Sequence, residues 1–305
     1  MIIVSGAAGF VGRSVCRRLA ASGHEVCALT HGDAFSVTAA GIALDLSNAD
    51  HCEQLIGRCR GGTALVHLAG KIAIELDAAS DDQPGPRATA ERFADLYAAN
   101  VVMTARLLEV ALAADVPHFL LASSQAVYGL PPAAPVTEDT PLAPLEHYAA
   151  SKIACETVAA LWARGHGRMA TILRFPGVWS ETRHTGLVYS LCNAALQSHH
   201  IRIGAEYPLP IDVLHCDDVA SAFEAGLRRT GAGSRVYNVS GGEPCSLTRL
   251  AGDVAALVPN CTIETYGVQQ PEITLDAGRA AAELGWRAQP RAERLAKFLA
   301  ELARS

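Results

Sequence analysis

Tyr148 and Lys152 stand four residues apart in Tyr148-Ala-Ala-Ser-Lys152, a spacing that puts both side chains on one face of a helix. Such a pair can make a proton donor. Bringing a phenol from its usual pKa near 10 to roughly 7 takes about 4 kcal/mol of differential interaction, and an adjacent ammonium supplies much of it. The same spacing also arises where a Tyr is packed and a Lys solvated, so its weight comes from what lies upstream. Residues 1–12 read Met-Ile-Ile-Val-Ser-Gly-Ala-Ala-Gly-Phe-Val-Gly, a short apolar strand running into Gly6, Gly9 and Gly12, with a helical stretch directly after. Gly6 permits a tight turn, Gly9 a close approach of backbone to a pyrophosphate, and Gly12 close packing of helix on strand. Phosphate oxygens then meet the unpaired N–H groups and the positive end of the helix dipole.

These residues need a scaffold, and the chain has the pattern of one. Short apolar or β-branched runs at Ile2–Ser5, Glu25–Leu29, Ala64–Leu68, His118–Ser123 and Met169–Phe175 are predicted strands. Helical stretches fall between them at Arg13–Ala21, Asn48–Cys59, Ala90–Ala114 and Leu145–Arg164. That alternation predicts an α/β fold, a Rossmann-type doubly wound parallel sheet covered on both faces. Ligands in such sheets sit beyond the carboxyl ends of the strands, and Gly6, Asp45, Gly70, Ser124 and Pro176 all fall there. The rhythm loosens after residue 178: helix Leu187–Gln197, a Pro-bearing loop at Tyr207–Pro210, strand Ile211–Leu214, helix Asp218–Arg228, strand Arg235–Val239, then three helices. Residues 1–178 are expected to form the dinucleotide-binding domain and 179–305 mainly a smaller α/β substrate lobe, interleaved with the sheet domain.

Composition narrows the partners. A chain of 305 residues with half of them hydrophobic can bury a large core. No apolar run reaches the length of a membrane span, and the first strand leaves no room for a signal peptide, so a cytoplasmic protein is expected. The nine cysteines are scattered and never spaced as Cys-x-x-Cys, which points to buried thiols and not to a metal site or a disulfide framework. The net charge of −6 offers no footprint for nucleic acid or an anionic bilayer. A small-molecule partner is favoured.

Gly6-Ala-Ala-Gly-Phe-Val-Gly12, Asp45-Leu46, His67-Leu-Ala-Gly70, Asn100-Val101, Ser123-Ser124-Gln-Ala-Val-Tyr-Gly129, Tyr148-x-x-x-Lys152, Leu173-Arg-Phe-Pro-Gly-Val178, Asp217-Asp-Val-Ala220, Tyr237-Asn-Val-Ser-Gly241 and Leu284-Gly-Trp286 together resemble the extended short-chain dehydrogenase/reductase family, in its sugar-nucleotide epimerase/dehydratase group. The resemblance runs in order along nearly the whole chain. It implies that Tyr148 exchanges a proton with a substrate oxygen while hydride passes to or from a nicotinamide. Lys152 would bridge the nicotinamide ribose hydroxyls, and Ser124 would hydrogen-bond the same substrate oxygen. General acid–base catalysis of this kind is worth about 10²- to 10⁴-fold. The cofactor set implied is Gly6, Gly9, Phe10, Val11, Gly12, Arg13, Thr30, His31, Asp45, Leu46, Leu68, Ala69, Gly70, Asn100, Ser123, Tyr148, Lys152, Phe175, Pro176 and Val178. Asp45 would accept the adenine amino group or be a surface-loop acid. Asn100 would touch the nicotinamide amide or bond locally. Substrate contacts are expected from Lys71, Ser124, Gln125, Ala126, Gly177, Arg183 and His184.

Departures from the family pattern shape the reaction. An acid at position 30 would bind the ribose hydroxyls of NAD; this chain has Thr30, followed by His31, with Arg13 just past the last glycine, which inclines the reading to NADP, although Asp33 could restore NAD. Gln125-Ala126 replace the Asp-Glu pair of the 4,6-dehydratases, which argues against dehydration. Gly177 and the 204–210 loop lack the family's grips on a nucleotide diphosphate, leaving Arg183 and Arg202 as the nearest substitutes. The connection around Asp81–Pro86 is expected to form a lid. His67 reads as packed structure and His199-His200 as a helix-end surface pair. The leading expectation is an NAD(P)-dependent ketoreductase or dehydrogenase acting on a sugar-like substrate. The alternatives are an NAD-dependent sugar(-nucleotide) epimerase and a non-catalytic dinucleotide sensor. The family implies a homodimer built through Ala90–Ala114 and Leu145–Arg164.

Overall fold

The computed structural model describes residues 1–30, 42–43, 49–72, 74–75, 87–88, 93–131, 135–204, 211–267 and 272–304. Seven parallel strands form the central sheet, in the spatial order Gly233–Asn238, Met169–Phe175, His118–Ser124, Ala64–His67, Ile2–Ser5, Val26–Thr30 and Ile42–Ala43. The chain therefore starts in the middle, winds outward one way, returns beside its first strand at Ala64–His67 and winds out the other way. That reversal is the switch point at which such sheets bind ligands. Register is fixed by burial on both faces: Ile2–Ser5 pairs with Val26–Leu29 on one side and Ala64–His67 on the other, and every residue of these runs is buried.

Two apolar layers cover the sheet. Helices Phe10–Ala21 and Cys216–Leu227 pack on one face, placing Val15, Leu19, Val219 and Phe223 against Val4, Val66 and Leu120. On the other, Leu107, Leu108 and Val110 of helix Met103–Ala113 and Cys155, Ala159 and Trp162 of helix His147–His166 meet Ile3, Leu65, Phe119 and Ile172. The continuous helix Phe93–Ala113 is long and apolar enough to match a membrane span by length and composition, contrary to the expectation from sequence. Its Met103, Leu107, Leu108, Val110 and Ala111 belong to the sheet core.

After Phe175 the chain enters the lobe through the short strand Gly177–Trp179, which pairs with Val213–His215. Helix Leu187–Ser198 and the parallel pair His200–Gly204 and Thr262–Tyr266 follow. The lobe has its own core of Trp179, Leu191, Ile201, Val213, Leu250, Leu295 and Phe298. Residues 216–238 return to the main sheet, so the sheet domain takes one helix and one strand from the second half of the chain.

Asp212, just ahead of Val213–His215, is buried, accepts from Ser240 Oγ at 2.7 Å and from the Val213 N–H at 2.7 Å, and is pushed up to about 6 mainly by burial. A folded-state value above the unfolded one means that its contribution is full below about pH 4 and is lost as pH rises through about 6. An Asp212→Asn variant is therefore expected to be more stable than the parent above pH 6, by at most about 3 kcal/mol, and equal to it near pH 4. Urea unfolding at the two pH values measures the difference.

Candidate active site

The glycine turn is built for close contact. Gly6 has φ +72°, and a Cβ there would lie 2.6 Å from the Ala69 nitrogen; one on Gly12 would lie 2.0 Å from the Gly6 carbonyl oxygen. The turn thus nests against the Leu68-Ala69 loop that leaves the neighbouring strand. Helix Phe10–Ala21 begins at Gly9 with no side chain capping its first turn, so its N–H groups and dipole are offered to an anion. At the end of Val26–Thr30, the Thr30 hydroxyl is buried without a protein partner. A tight cradle, an uncapped helix start and an orphaned hydroxyl where a ribose would lie fit a dinucleotide. Arg13 Nε donates to the Ala8 carbonyl at 2.8 Å, bracing the same turn. His31, Asp33, Asp45, Leu46 and the 81–86 segment lie outside the described residues.

The three candidate residues Ser124, Tyr148 and Lys152 come from two adjacent elements. Ser124 closes strand His118–Ser124, and its Oγ accepts from the Ala126 N–H at 3.2 Å, which caps the turn Gln125–Tyr128 and fixes the hydroxyl just ahead of it. Helix His147–His166 brings Tyr148 to it, and the Ser124 hydroxyl hydrogen-bonds the phenol. Lys152 is buried, one turn further on, with Nζ 5.7 Å from the centre of the Tyr148 ring and donating to the Ala122 carbonyl at 3.1 Å. A Cβ on Gly70 would lie 3.4 Å from the same Nζ, so this glycine leaves the ammonium room.

The electrostatics depart from the expectation that Lys152 holds the phenol acidic. Burial raises Tyr148 to about 12, the Ser124 hydrogen bond pulls it down, and Glu146 and Cys155 push it up. Burial also lowers Lys152, against the opposing pull of Cys155 and Glu156. Desolvation disfavours both charged forms and outweighs the neighbours, so the unliganded pair rests as a neutral phenol beside a destabilised ammonium.

Asn100 is spent on the protein. The helix from Phe93 to Ala113 widens to an i→i+5 turn over Ala98–Val102, which turns Asn100 inward. Its Oδ1 accepts from the Lys71 N–H at 2.7 Å, and its Nδ2 donates to the Lys71 carbonyl at 3.0 Å and to Ser151 Oγ at 2.9 Å. Through these bonds Asn100 holds the Gly70-Lys71 loop against the helix of Tyr148 and Lys152. Its carbonyl accepts from Thr104 Oγ1 at 2.6 Å, Thr104 meets His67 Nε2 at 3.0 Å, and His67 Nδ1 meets Ser5 Oγ at 2.7 Å. Burial lowers His67 to about 3, so it serves as a neutral connector. Thr104 and Ser151 escape the sequence reading. Ser151, inside Tyr148-Ala-Ala-Ser-Lys152, carried the better signal.

Ser123 donates to Glu156 at 2.5 Å and thereby supports the strand end from behind. Phe175 packs edge-on against Phe223 at 6.3 Å, and Arg183 lies over the Phe10 ring at 5.2 Å while donating to the Val178 carbonyl at 3.2 Å. Arg183 thus ties Val178 to the helix start that follows the glycine turn. His184 stacks on Tyr189 at 5.5 Å, and Arg202 pairs with exposed Glu264 at 3.2 Å. His199 ends its helix and meets the Pro259 carbonyl, while His200 meets Thr262 and Glu264, all at the surface.

The sequence profile of the NAD dependent epimerase/dehydratase family matches residues 2–240. The chain belongs to this family. It is an NAD(P)-dependent enzyme of the extended short-chain dehydrogenase/reductase type. A UDP-glucose 4-epimerase of Mycolicibacterium smegmatis is 30% identical over 307 residues, spanning 94% of this chain and 93% of that protein. The structure of MoeE5 in complex with UDP-glucuronic acid and NAD is 26% identical, covers 99% of both chains and superposes with a TM-score of 0.78. The UDP-glucose 4-epimerase of Thermotoga maritima, 20% identical and covering 99% of this chain and 98% of that one, shares the fold with a TM-score of 0.82.

Proposed function

We propose that this family member is an epimerase that inverts the C4 secondary alcohol of a nucleotide-linked hexose. The observation that carries the reading is the Ser124–Tyr148–Lys152 set, held at the carboxyl ends of the sheet in a chain that matches a UDP-glucose 4-epimerase along nearly all its length. The bound dinucleotide would supply the hydride acceptor and donor. Tyr148 would take the C4 hydroxyl proton and give it back, Ser124 would hold that oxygen, and Lys152 would orient the coenzyme ribose. Arg183, against Phe10 at the glycine turn, is the nearer of the two arginines to a diphosphate grip; Arg202 is engaged by Glu264. A bidentate guanidinium is the residue suited to that role. The side chains of Phe93, Val102 and Leu161, exposed on the two helices expected at a dimer interface, support a homodimer.

The second reading is an NADP-dependent ketoreductase, favoured by the neutral Thr30 where a carboxylate would select NAD. Incubation with UDP-galactose and no added coenzyme distinguishes the two. The epimerase is expected to form UDP-glucose, seen by proton NMR, and to release tightly held NAD on denaturation, from a preparation that sediments as a dimer. Absence of interconversion, with stoichiometric oxidation of NADPH when the corresponding UDP-4-keto-hexose is supplied, would establish the reductase instead.

A further inference from the structure

Arg183 lies in the loop between strand Gly177–Trp179 and helix Leu187–Ser198, and a second pair of side chains stands behind it. Residues 180–183 form one tight turn, closed by the Arg183 N–H donating to the Ser180 carbonyl at 3.2 Å and by the Thr182 N–H donating to Ser180 Oγ at 3.3 Å. Glu181 and Arg183 therefore move together. From this turn the Glu181 carboxylate reaches buried His215, at the end of strand Val213–His215, with Oε2 3.0 Å from Nε2. His215 Nδ1 already accepts from the Asp217 N–H at 3.2 Å, so in the neutral ring Nε2 carries the hydrogen and donates to Glu181. The Trp179 ring stands edge-on to the imidazole at 4.9 Å, and Lys297 Nζ meets Glu181 Oε1 at 3.6 Å.

These contacts close a ring at the glycine turn. Cys216, next to His215, sets its thiol 3.8 Å from the Phe10 carbonyl oxygen, and Arg183 lies over the Phe10 ring at 5.2 Å. Phe10 thus meets both ends of the chain of contacts that His215 and Glu181 join. The hydrogen bonds of the Arg183 side chain, to Thr185 Oγ1 at 3.4 Å and to the Val178 carbonyl at 3.2 Å, are local to its own segment. A guanidinium on a long, rotamer-rich stem grips a phosphate well when its base is fixed beforehand.

We propose that the Glu181–His215 pair is a positioning device for the substrate, fixing the 180–183 turn so that Arg183 presents its guanidinium to the diphosphate of a nucleotide sugar. The inference rests on the reading of Arg183 as the diphosphate grip of an epimerase. Neither Glu181 nor His215 touches the substrate; each acts through Arg183.

The test measures kcat and KM for UDP-galactose on the holoenzyme in the parent, Glu181→Ala, His215→Asn, Glu181→Gln, Arg183→Ala and the double variant Glu181→Ala with Arg183→Ala. Asparagine at 215 keeps an acceptor for the Asp217 N–H but is too short to reach Glu181, so the pair is broken from either side and the result does not hang on the folding of one variant. Both breaks are expected to raise KM by about 10-fold with a smaller change in kcat, as for the weakening of a charge-assisted bond made in ground state and transition state alike. Arg183→Ala should raise KM at least as far, and adding Glu181→Ala to it should raise it no further. Glu181→Gln, which keeps an acceptor for Nε2, should recover most of the parent's KM. A purely structural link would lower thermal stability and leave KM at the parent's value. That result, or effects of Glu181→Ala and Arg183→Ala that simply multiply, overturns the positioning role alone. An unchanged KM in Arg183→Ala, with the parent an active epimerase, overturns the diphosphate grip and the positioning role with it. A parent that neither binds nor converts UDP-galactose overturns the epimerase reading beneath both.

Discussion

Tyr148→Phe is expected to cut turnover by about 10²- to 10⁴-fold while leaving coenzyme content and thermal stability close to the parent's. The ring stays and only the hydroxyl that Ser124 bonds is lost, so packing is conserved and the proton carrier is removed. The structure adds a condition. Burial holds the phenol at about 12, and use of its conjugate base near neutral pH requires about 7 kcal/mol of additional bias once substrate and coenzyme are in place. Ultraviolet difference titration of the parent against Tyr148→Phe, without substrate, should therefore show this phenol ionising only in strong alkali. A variant with undiminished turnover would remove Tyr148 from the chemistry and assign the proton transfer to another group.

The pairing of Tyr148 with Lys152 was legible because i,i+4 spacing is a local property; the sign of the electrostatic effect was not, because burial is a tertiary one. The same division runs through the fold. Ile2–Ser5 and Met169–Phe175 emerge with their observed limits, since fully buried parallel strands are continuous apolar runs bounded by turns. Strand Thr262–Tyr266 escaped notice: exposed along its whole length, it exists because His200–Gly204 lies alongside to pair with it. Gly177–Trp179 is likewise too short to carry a period. Nothing in Ala-Ala-Asn-Val-Val announces the widened turn at 98–102, which goes with the bonds Asn100 makes to the main chain of Lys71. Ser124 was legible from its motif, whereas the contact of Glu181 with His215, 34 residues further on, could be known only from the fold.

The largest loss of stability is expected from Glu156→Gln or Arg174→Met. The two side chains, both nearly inaccessible, meet in a two-pronged pair, Nε to Oε1 at 2.9 Å and Nη2 to Oε2 at 2.5 Å. Each end is tied further. Glu156 accepts from Ser123, and Arg174 Nη1 donates to the Tyr128 hydroxyl at 2.9 Å, which donates to Asn238 Oδ1 at 2.6 Å. The network joins the helix of Tyr148 and Lys152 to three adjacent strands and to the turn after Ser124, so it sets the helix rotation on which the catalytic geometry depends. Removing one member strands a buried charge, at about 3–5 kcal/mol, which for a chain of this size lowers the melting temperature by on the order of 10 °C. Removing both charges together, as Glu156→Leu with Arg174→Met, should cost less than the sum of the single changes, because no unpaired ion remains. Activity of the double variant at low temperature separates folding from positioning. If helix rotation is what the pair secures, kcat stays depressed after stability is recovered. Full activity in the double variant would reduce the network to scaffolding.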